Sequence, residues 1–298
     1  AHHVLHDSVR GVSAGRISSN RTNAEDAGDS IASFDSDGFT VGSSAAYINS
    51  DSANIVAWSW KANGSGAANT EGSINTTKTS ANVDSGFSII TYTGNATEGA
   101  TLGHGLNKAP EMIWVKTRAS GGWQVYHSGN TSEPETDELN LEVTEATQDS
   151  ANIWNDTAPA ATVFSLGNNG AVNGNGTAFV AYCFHSVEGY CKVGSYTGNN
   201  NAYGEFVNTG FRPAFVMTKQ SSTTGDWTIH DSARDIDNPL FNELTANESA
   251  AEGTSDADMD FTSNGFKIRR ASGQFNANNA NVVYLAFAET PFKYASGR

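Results

Sequence analysis

Thr91-Tyr92-Thr93-Gly94-Asn95 and Ser195-Tyr196-Thr197-Gly198-Asn199 are one phrase written twice, 104 positions apart. The offset persists downstream. Pro110 and Pro213, Lys116 and Lys219, and Phe184 and Phe287 stand 103 apart, Trp123 and Trp227 104, and Phe164 and Phe266 102. Self-similarity at a fixed period is the mark of a repeated structural unit, so residues 86–190 and 191–298 read as two copies of one domain. A shortened copy opens the chain. His6-Asp7-Ser8-Val9-Arg10 matches His230-Asp231-Ser232-Ala233-Arg234, and Ser36-Asp37-Gly38-Phe39-Thr40-Val41 matches Ser263-Asn264-Gly265-Phe266-Lys267-Ile268. Val56-Ala57-Trp58-Ser59-Trp60 corresponds to Val180-Ala181-Tyr182-Cys183-Phe184. This first copy, residues 1–61, lacks the strands that carry the Tyr-Thr-Gly-Asn and Pro anchors. Half a sandwich cannot bury its core, so the missing strands are expected from upstream sequence or from another chain. Residues 62–85, rich in Ala, Gly, Asn, Ser and Thr without periodicity, read as a linker or arm.

Each full copy resolves into short strands separated by turn signals. In the second these are Gly86–Thr93, Glu111–Thr117, Trp123–His127, Leu139–Val143, Thr162–Leu166 and Thr177–Phe184. Gly94-Asn95 and Ser120-Gly121-Gly122 punctuate them, and Asp37-Gly38 and Asn264-Gly265 are hairpin pairs that tolerate positive φ. Met112-Ile113-Trp114-Val115 and Phe215-Val216-Met217 read as central strands covered on both faces. A short helical turn is expected within 146–154. The fold class is all-β: tandem β-sandwich (jelly-roll-like) domains of about 100 residues, with the first copy incomplete.

Composition agrees. The chain is 38% hydrophobic and only 16% charged, with 30 Gly. Ser, Thr, Asn and Gly are poor in helix interiors and suit turns and strands with wet outer faces. Seventeen basic against 32 acidic residues, a net charge of −15, oppose binding to nucleic acid. No apolar run approaches the roughly 20 residues that span a bilayer, so no membrane insertion is expected. No signal peptide is visible at Ala1. Two cysteines make no disulfide framework, and Cys183, inside an apolar strand, reads as a buried free thiol rather than a disulfide partner of Cys191.

Candidate chemistry is sparse. His6-Asp7-Ser8 and His230-Asp231-Ser232 invite a catalytic-triad reading. Contiguous strand residues, however, point to opposite faces and cannot form one hydrogen-bonded chain. Of the acidic runs Ser132–Glu145 and Asp256–Asp260, the second alternates Asp256, Asp258 and Asp260 as a calcium loop does. Phe261 then stands where that loop needs Gly, and Lys267 where it needs Glu; a solvated acidic loop is the simpler reading. No pair among the 32 acids is singled out for glycoside cleavage. Eight Asn-x-Ser/Thr sequons, at Asn20, Asn63, Asn75, Asn95, Asn130, Asn155, Asn175 and Asn247, arise readily in a chain of this composition. No catalytic residue, metal ligand or cofactor is therefore assigned. Trp123 and Trp227 share one repeat position: exposed they would be sugar-stacking platforms, buried they would plug a sandwich core, and the core reading is favoured. Trp154, in a polar loop without a counterpart in the last copy, is the better binding candidate, because loops carry function on repeated scaffolds.

Longer phrases add a resemblance. They are Gly86-Phe87-Ser88-Ile89-Ile90-Thr91-Tyr92-Thr93-Gly94-Asn95, Gly103-His104-Gly105-Leu106-Asn107-Lys108-Ala109-Pro110-Glu111-Met112-Ile113, Val180-Ala181-Tyr182-Cys183-Phe184 with Glu188-Gly189-Tyr190, and Gly210-Phe211-Arg212-Pro213-Ala214-Phe215-Val216-Met217. Together with Phe287-Ala288-Glu289-Thr290-Pro291-Phe292-Lys293-Tyr294 they resemble a tandem-domain family of tail-fibre and other virion structural proteins of tailed bacteriophages. The resemblance covers essentially the whole chain and brings no catalytic or binding residues. It implies a non-enzymatic virion protein on the particle surface, tail or appendage. Expected partners are other virion proteins and a host-surface glycan or protein, engaged by a homotrimer whose multivalency sums weak sites. The alternatives are a capsid decoration or tail-associated module that binds no receptor, and a polysaccharide depolymerase.

Overall fold

Val, Ile, Thr, Tyr and Phe dominate the apolar runs, and such side chains pack well on a pleated surface. The computed structural model describes residues 2–26, 31–42, 47–271 and 273–290, apart from the side chains of Ser255 and Asp256. Strands make up most of its regular structure, with only short helical turns besides. One antiparallel sheet runs, edge to edge, Gln148–Asp149, Asp137–Asn140, Trp123–His127, Met112–Thr117, Ala178–Phe184, Phe87–Thr93, Lys78–Asn82. The other runs Cys191–Thr197, Asn281–Ala288, Pro213–Gln220, Trp227–Asp231, Leu240–Thr245, Gly253–Thr262, Gly265–Ile268, Phe206–Asn208. The protein is an all-β sandwich.

The two sheets share one strand order. Phe87–Thr93 lies beside Ala178–Phe184, then Met112–Thr117, Trp123–His127 and Asp137–Asn140. Their offset partners Cys191–Thr197, Asn281–Ala288, Pro213–Gln220, Trp227–Asp231 and Leu240–Thr245 follow in the same sequence. The outer pair Ala100–Gly103 with Val163–Leu166 matches Phe206–Asn208 with Gly265–Ile268.

Several elements depart from expectation. Ala100–Gly103 had no apolar run to announce it, and it is a strand because Val163–Leu166 offers its edge. The strand expected at Leu139–Val143 lies at Asp137–Asn140. Within 146–154 the helical turn is Ala151–Trp154, preceded by the paired Gln148–Asp149. The stretch 62–85, expected as a linker or arm, contains a strand: Lys78–Asn82 extends the first sheet, and the small polar Thr76 and Ser80 are buried there. Ser80 Oγ donates to Gly64 O at 2.8 Å, and Thr76 Oγ1 receives the Asn69 N–H at 2.8 Å. Hydroxyl-to-backbone bonds order this stretch, so hydropathy misses it.

Alternation along the central strands sends side chains into two different cores. Val180, Tyr182 and Phe184 enter a core shared with Val283, Leu285 and Phe287. Phe179, Ala181 and Cys183 line one outer core, and Val282, Tyr284 and Ala286 the other. The residues divided at 190/191 by the sequence offset thus pack face to face. Val9 and Ile17 join the same shared core, with Trp58 and Trp60 against it. At its centre equivalent positions meet: the Phe287 ring lies 5.5 Å from Trp60 and 6.3 Å from Phe184.

The opening phrase is explained residue by residue. Tyr92 Oη donates to Val172 O and Tyr196 Oη to Phe275 O, each at 2.6 Å. A Cβ on Gly94 would lie 2.5 Å from Gly174 O, and one on Gly198 2.3 Å from Ala277 O, so only glycine allows the backbones to approach. Asn95 N–H donates to Asn173 Oδ1 at 2.9 Å and Asn199 N–H to Asn276 Oδ1 at 3.0 Å. Asn173 and Asn276, both fully buried, also donate to two carbonyls each.

A second motif joins one segment to the next. Trp123 Nε1 donates to Ser18 O at 2.9 Å and Trp227 Nε1 to Asn140 O at 2.9 Å. Lys116 Nζ reaches Asn23 O at 3.3 Å and Lys219 Nζ reaches Thr144 O at 3.0 Å. Backbone follows suit, Gly121 N–H to Thr22 O and Gly225 N–H to Thr144 O. Ser19 Oγ donates to Ala246 O at 2.6 Å and closes the circuit from the last segment to the first.

Truncating the central ring leaves a cavity among three segments. Phe287→Ala is expected to cost about 3–5 kcal/mol, read as a lower midpoint in urea; an unchanged midpoint would show that the shared core is dispensable.

Candidate functional site

The His-Asp-Ser motifs are turn devices. Asp7 Oδ1 accepts the N–H groups of Val9 and Arg10 at 3.1 and 2.8 Å, and Asp231 Oδ1 those of Ala233 and Arg234 at 3.0 Å each. Arg10 Nε closes on Asp7 Oδ2 at 2.5 Å and Arg234 Nε on Asp231 Oδ2 at 2.6 Å. Each arginine then reaches a further acid, Arg10 to Glu25 at 2.6 Å and Arg234 to Glu252 at 3.0 Å. His230 turns away from its neighbours and meets Asp258 Oδ2 at 3.1 Å. No nucleophile joins this pair among the described residues, and the His230 ring packs edge-on to Phe275 at 5.9 Å.

Asp258 belongs to the acidic run that alternates like a calcium loop. The run lies in strand Gly253–Thr262 instead of a loop, while the Asp256 side chain falls outside the described residues. Asp258 pairs with Arg270 at 3.0 Å and Asp260 with Arg269 at 3.3 Å. His230, Glu243 and Asp258 do bring three donor atoms within 4.8 Å of one another, a set of cation-ligand type. Three separate strands supply them, so no spacing in the sequence could announce the cluster. Arg270 already provides positive charge to Asp258 there. Burial holds the Glu243 carboxyl above its ordinary range, with Asp258 and Asp226 adding to the rise and His230 and Arg270 opposing it.

The three tryptophans are interior. Trp123, Trp227 and Trp154 are 0%, 1% and 2% exposed. Trp123 stacks near Tyr182 at 6.3 Å, and Trp154 meets Tyr126 edge-on at 6.0 Å. Trp123 and Trp227 occupy the core position favoured for them, and Trp154, the binding candidate of the sequence, is corrected to an interior residue; no indole face of the three is open to a sugar. The polar loop around Trp154 folds into a helical turn that drives Ile153 and Trp154 into the outer core.

Among the described residues the most exposed aromatic lies elsewhere. Tyr203 is 79% exposed on the loop after Thr197, followed by the 45%-exposed Phe206. Asparagines pin the loop. Asn201 N–H donates to Asn199 Oδ1 at 3.0 Å, Tyr203 N–H to Asn201 Oδ1 at 2.9 Å, and Asn276 Nδ2 to Asn201 O at 2.9 Å. Beside it an open depression of about 420 Å³ is lined by Ser195, Thr197, Glu205, Phe206, Asn208 and Tyr284, among others. The sequence carries the signal: Tyr203 follows the polar run Gly198-Asn199-Asn200-Asn201, and the offset places Gly99 opposite it.

A family model described as a domain of unknown function, DUF7483, matches residues 1–291. The chain belongs to the DUF7483 family. A single model thus spans the three segments that the sequence offset separates. No curated protein and no solved structure matches the chain.

Within this DUF7483 chain three buried titratable groups, His127, Lys116 and Lys219, sit at the junctions. His127 Nδ1 accepts the Gly129 N–H at 3.0 Å, which leaves Nε2 to donate to Tyr284 O at 3.2 Å, across the shared core boundary. A proton on Nδ1 would break the first bond, and burial lowers the imidazole to about 4, opposed by its carbonyl contact and Glu111. Lys116 and Lys219 are each lowered to about 8 by burial, opposed by Glu142 at the first and by Asp226 and Glu145 at the second. Both cysteines are free and buried, and burial pushes the Cys183 thiol up to about 12.

Between the ordinary 6.5 and about 4, the unfolded chain binds a proton that folded His127 refuses. Stability contributed through this group is therefore lost as pH falls through that window. Urea midpoints at pH 7.0 and 4.5 should converge in His127→Gln relative to the parent; an identical drop in both proteins would clear His127 of the effect.

Proposed function

We propose that this chain is a structural protein of a tailed-phage virion, a tail fibre or other surface appendage, that presents loops for attachment to a host-surface glycan or protein. The phrases quoted above support the virion setting by resemblance. The observation that carries attachment is the pinned Tyr203 loop. A tyrosine displayed on a rigid backbone offers a large amphipathic face and loses little conformational freedom on binding. Glu205 and Asn208 border the adjoining depression and supply polar contacts of the kind that orient a sugar.

The internal matches support a chain of three related units, residues 1–61, 86–190 and 191–298, the first lacking strands that the others possess. The shared strand order and the twice-built Asp–Arg turn favour descent from one unit. Further partners in this reading are other virion proteins and copies of the chain itself in a homotrimer.

The test uses purified protein and host envelope polysaccharide. Tyr203→Ala should weaken binding by about tenfold, equivalent to roughly 1.4 kcal/mol, with the unfolding temperature unchanged. Equal binding by the variant would remove the loop from the reading. Release of new reducing ends would replace attachment with depolymerisation, and labelling of capsid faces alone would replace it with decoration.

A further inference from the structure

The second and third segments treat one strand position alike, and the first does not. Ala178–Phe184 is paired on both edges, by Phe87–Thr93 and Met112–Thr117, and Asn281–Ala288 by Cys191–Thr197 and Pro213–Gln220. The corresponding residues 54–60 of the first segment follow the same side-chain alternation. Val56, Trp58 and Trp60 are half-buried toward the shared core, with Trp58 5.4 Å and Trp60 5.7 Å from Phe215, while Ile55, Ala57 and Ser59 are exposed. Yet residues 54–60 form no ladder, and their backbone groups make no backbone hydrogen bond with any described residue. Ile55 is 50% exposed where its counterparts Phe179 and Val282 are fully buried, and Phe39 is 38% exposed where Phe164 and Phe266 are buried.

We infer that residues 54–60 are a strand acceptor, filled by a two-stranded β unit of the repeat's own type, one strand along each edge. The occupant follows from the two complete cases, in which strands of the kind 87–93 and 112–117 cover this position and complete an outer apolar layer. An open strand with unpaired edges and an apolar outer face is a template for such addition. This rests on the equivalence of the three segments, not on a virion role.

Hydrogen exchange tests it on the 298-residue chain. Amides of 54–60 should exchange freely, while 178–184 and 281–288 are protected. Synthetic peptides spanning residues 86–118 or 190–221 should each raise protection of 54–60 at least tenfold, a scrambled peptide should not, and Ser59→Pro should abolish the gain. Protection of 54–60 without peptide would overturn the acceptor in favour of pairing within the chain, and protection that grows with protein concentration would overturn it in favour of a second copy. No gain from either peptide would overturn it while leaving the segment equivalence intact. Unequal protection of 178–184 and 281–288 would count against that equivalence itself.

Discussion

Everything else in the molecule depends on the apolar surface that Phe184, Phe287 and Trp60 bring to one place. Phe184 and Phe287 lie at the ends of Ala178–Phe184 and Asn281–Ala288, Trp60 packs against Phe287, and neither sheet covers its inner face alone. Small domains bury a lower fraction of their surface, and sheets of this composition carry one thin core apiece on their outer sides. Stacking inner face on inner face converts these marginal layers into a single deep interior. That is why an apolar share as low as 38% suffices.

Polar groups then fix how the faces meet. Hydrophobic contact is non-directional, so it cannot choose a register between two sheets. The indole N–H of Trp123 and Trp227, the ammonium of Lys116 and Lys219, and the His127 imidazole each require a particular carbonyl of the adjacent segment. Burying these groups without partners would be costly, which penalises every other docking arrangement. The lysines show the expense directly, since burial lowers both from their usual range.

Much of this was legible before any coordinate. The offset near 103 located the equivalent strands, and the apolar runs predicted most strand positions to within a residue or two. What escaped has a physical cause in each instance. Ala100–Gly103 and Lys78–Asn82 are strands because a neighbour's edge is available, information absent from their own composition. Trp154 was misjudged because a polar loop can fold into one helical turn and bury its only indole. The His230–Glu243–Asp258 cluster draws on three strands, so it exists only after pairing. Tyr203 was visible as an aromatic that follows the polar run 198–201 where the offset position carries only Gly99.

The hydroxyl of Ser19 on the Ala246 carbonyl joins residues 227 positions apart. Together with Trp123 on Ser18 O and Trp227 on Asn140 O, it leaves each of the three segments held by a polar bond to both of the others. Opening any one junction is therefore resisted by the remaining two, so the segments brace one another as the sides of a triangle do.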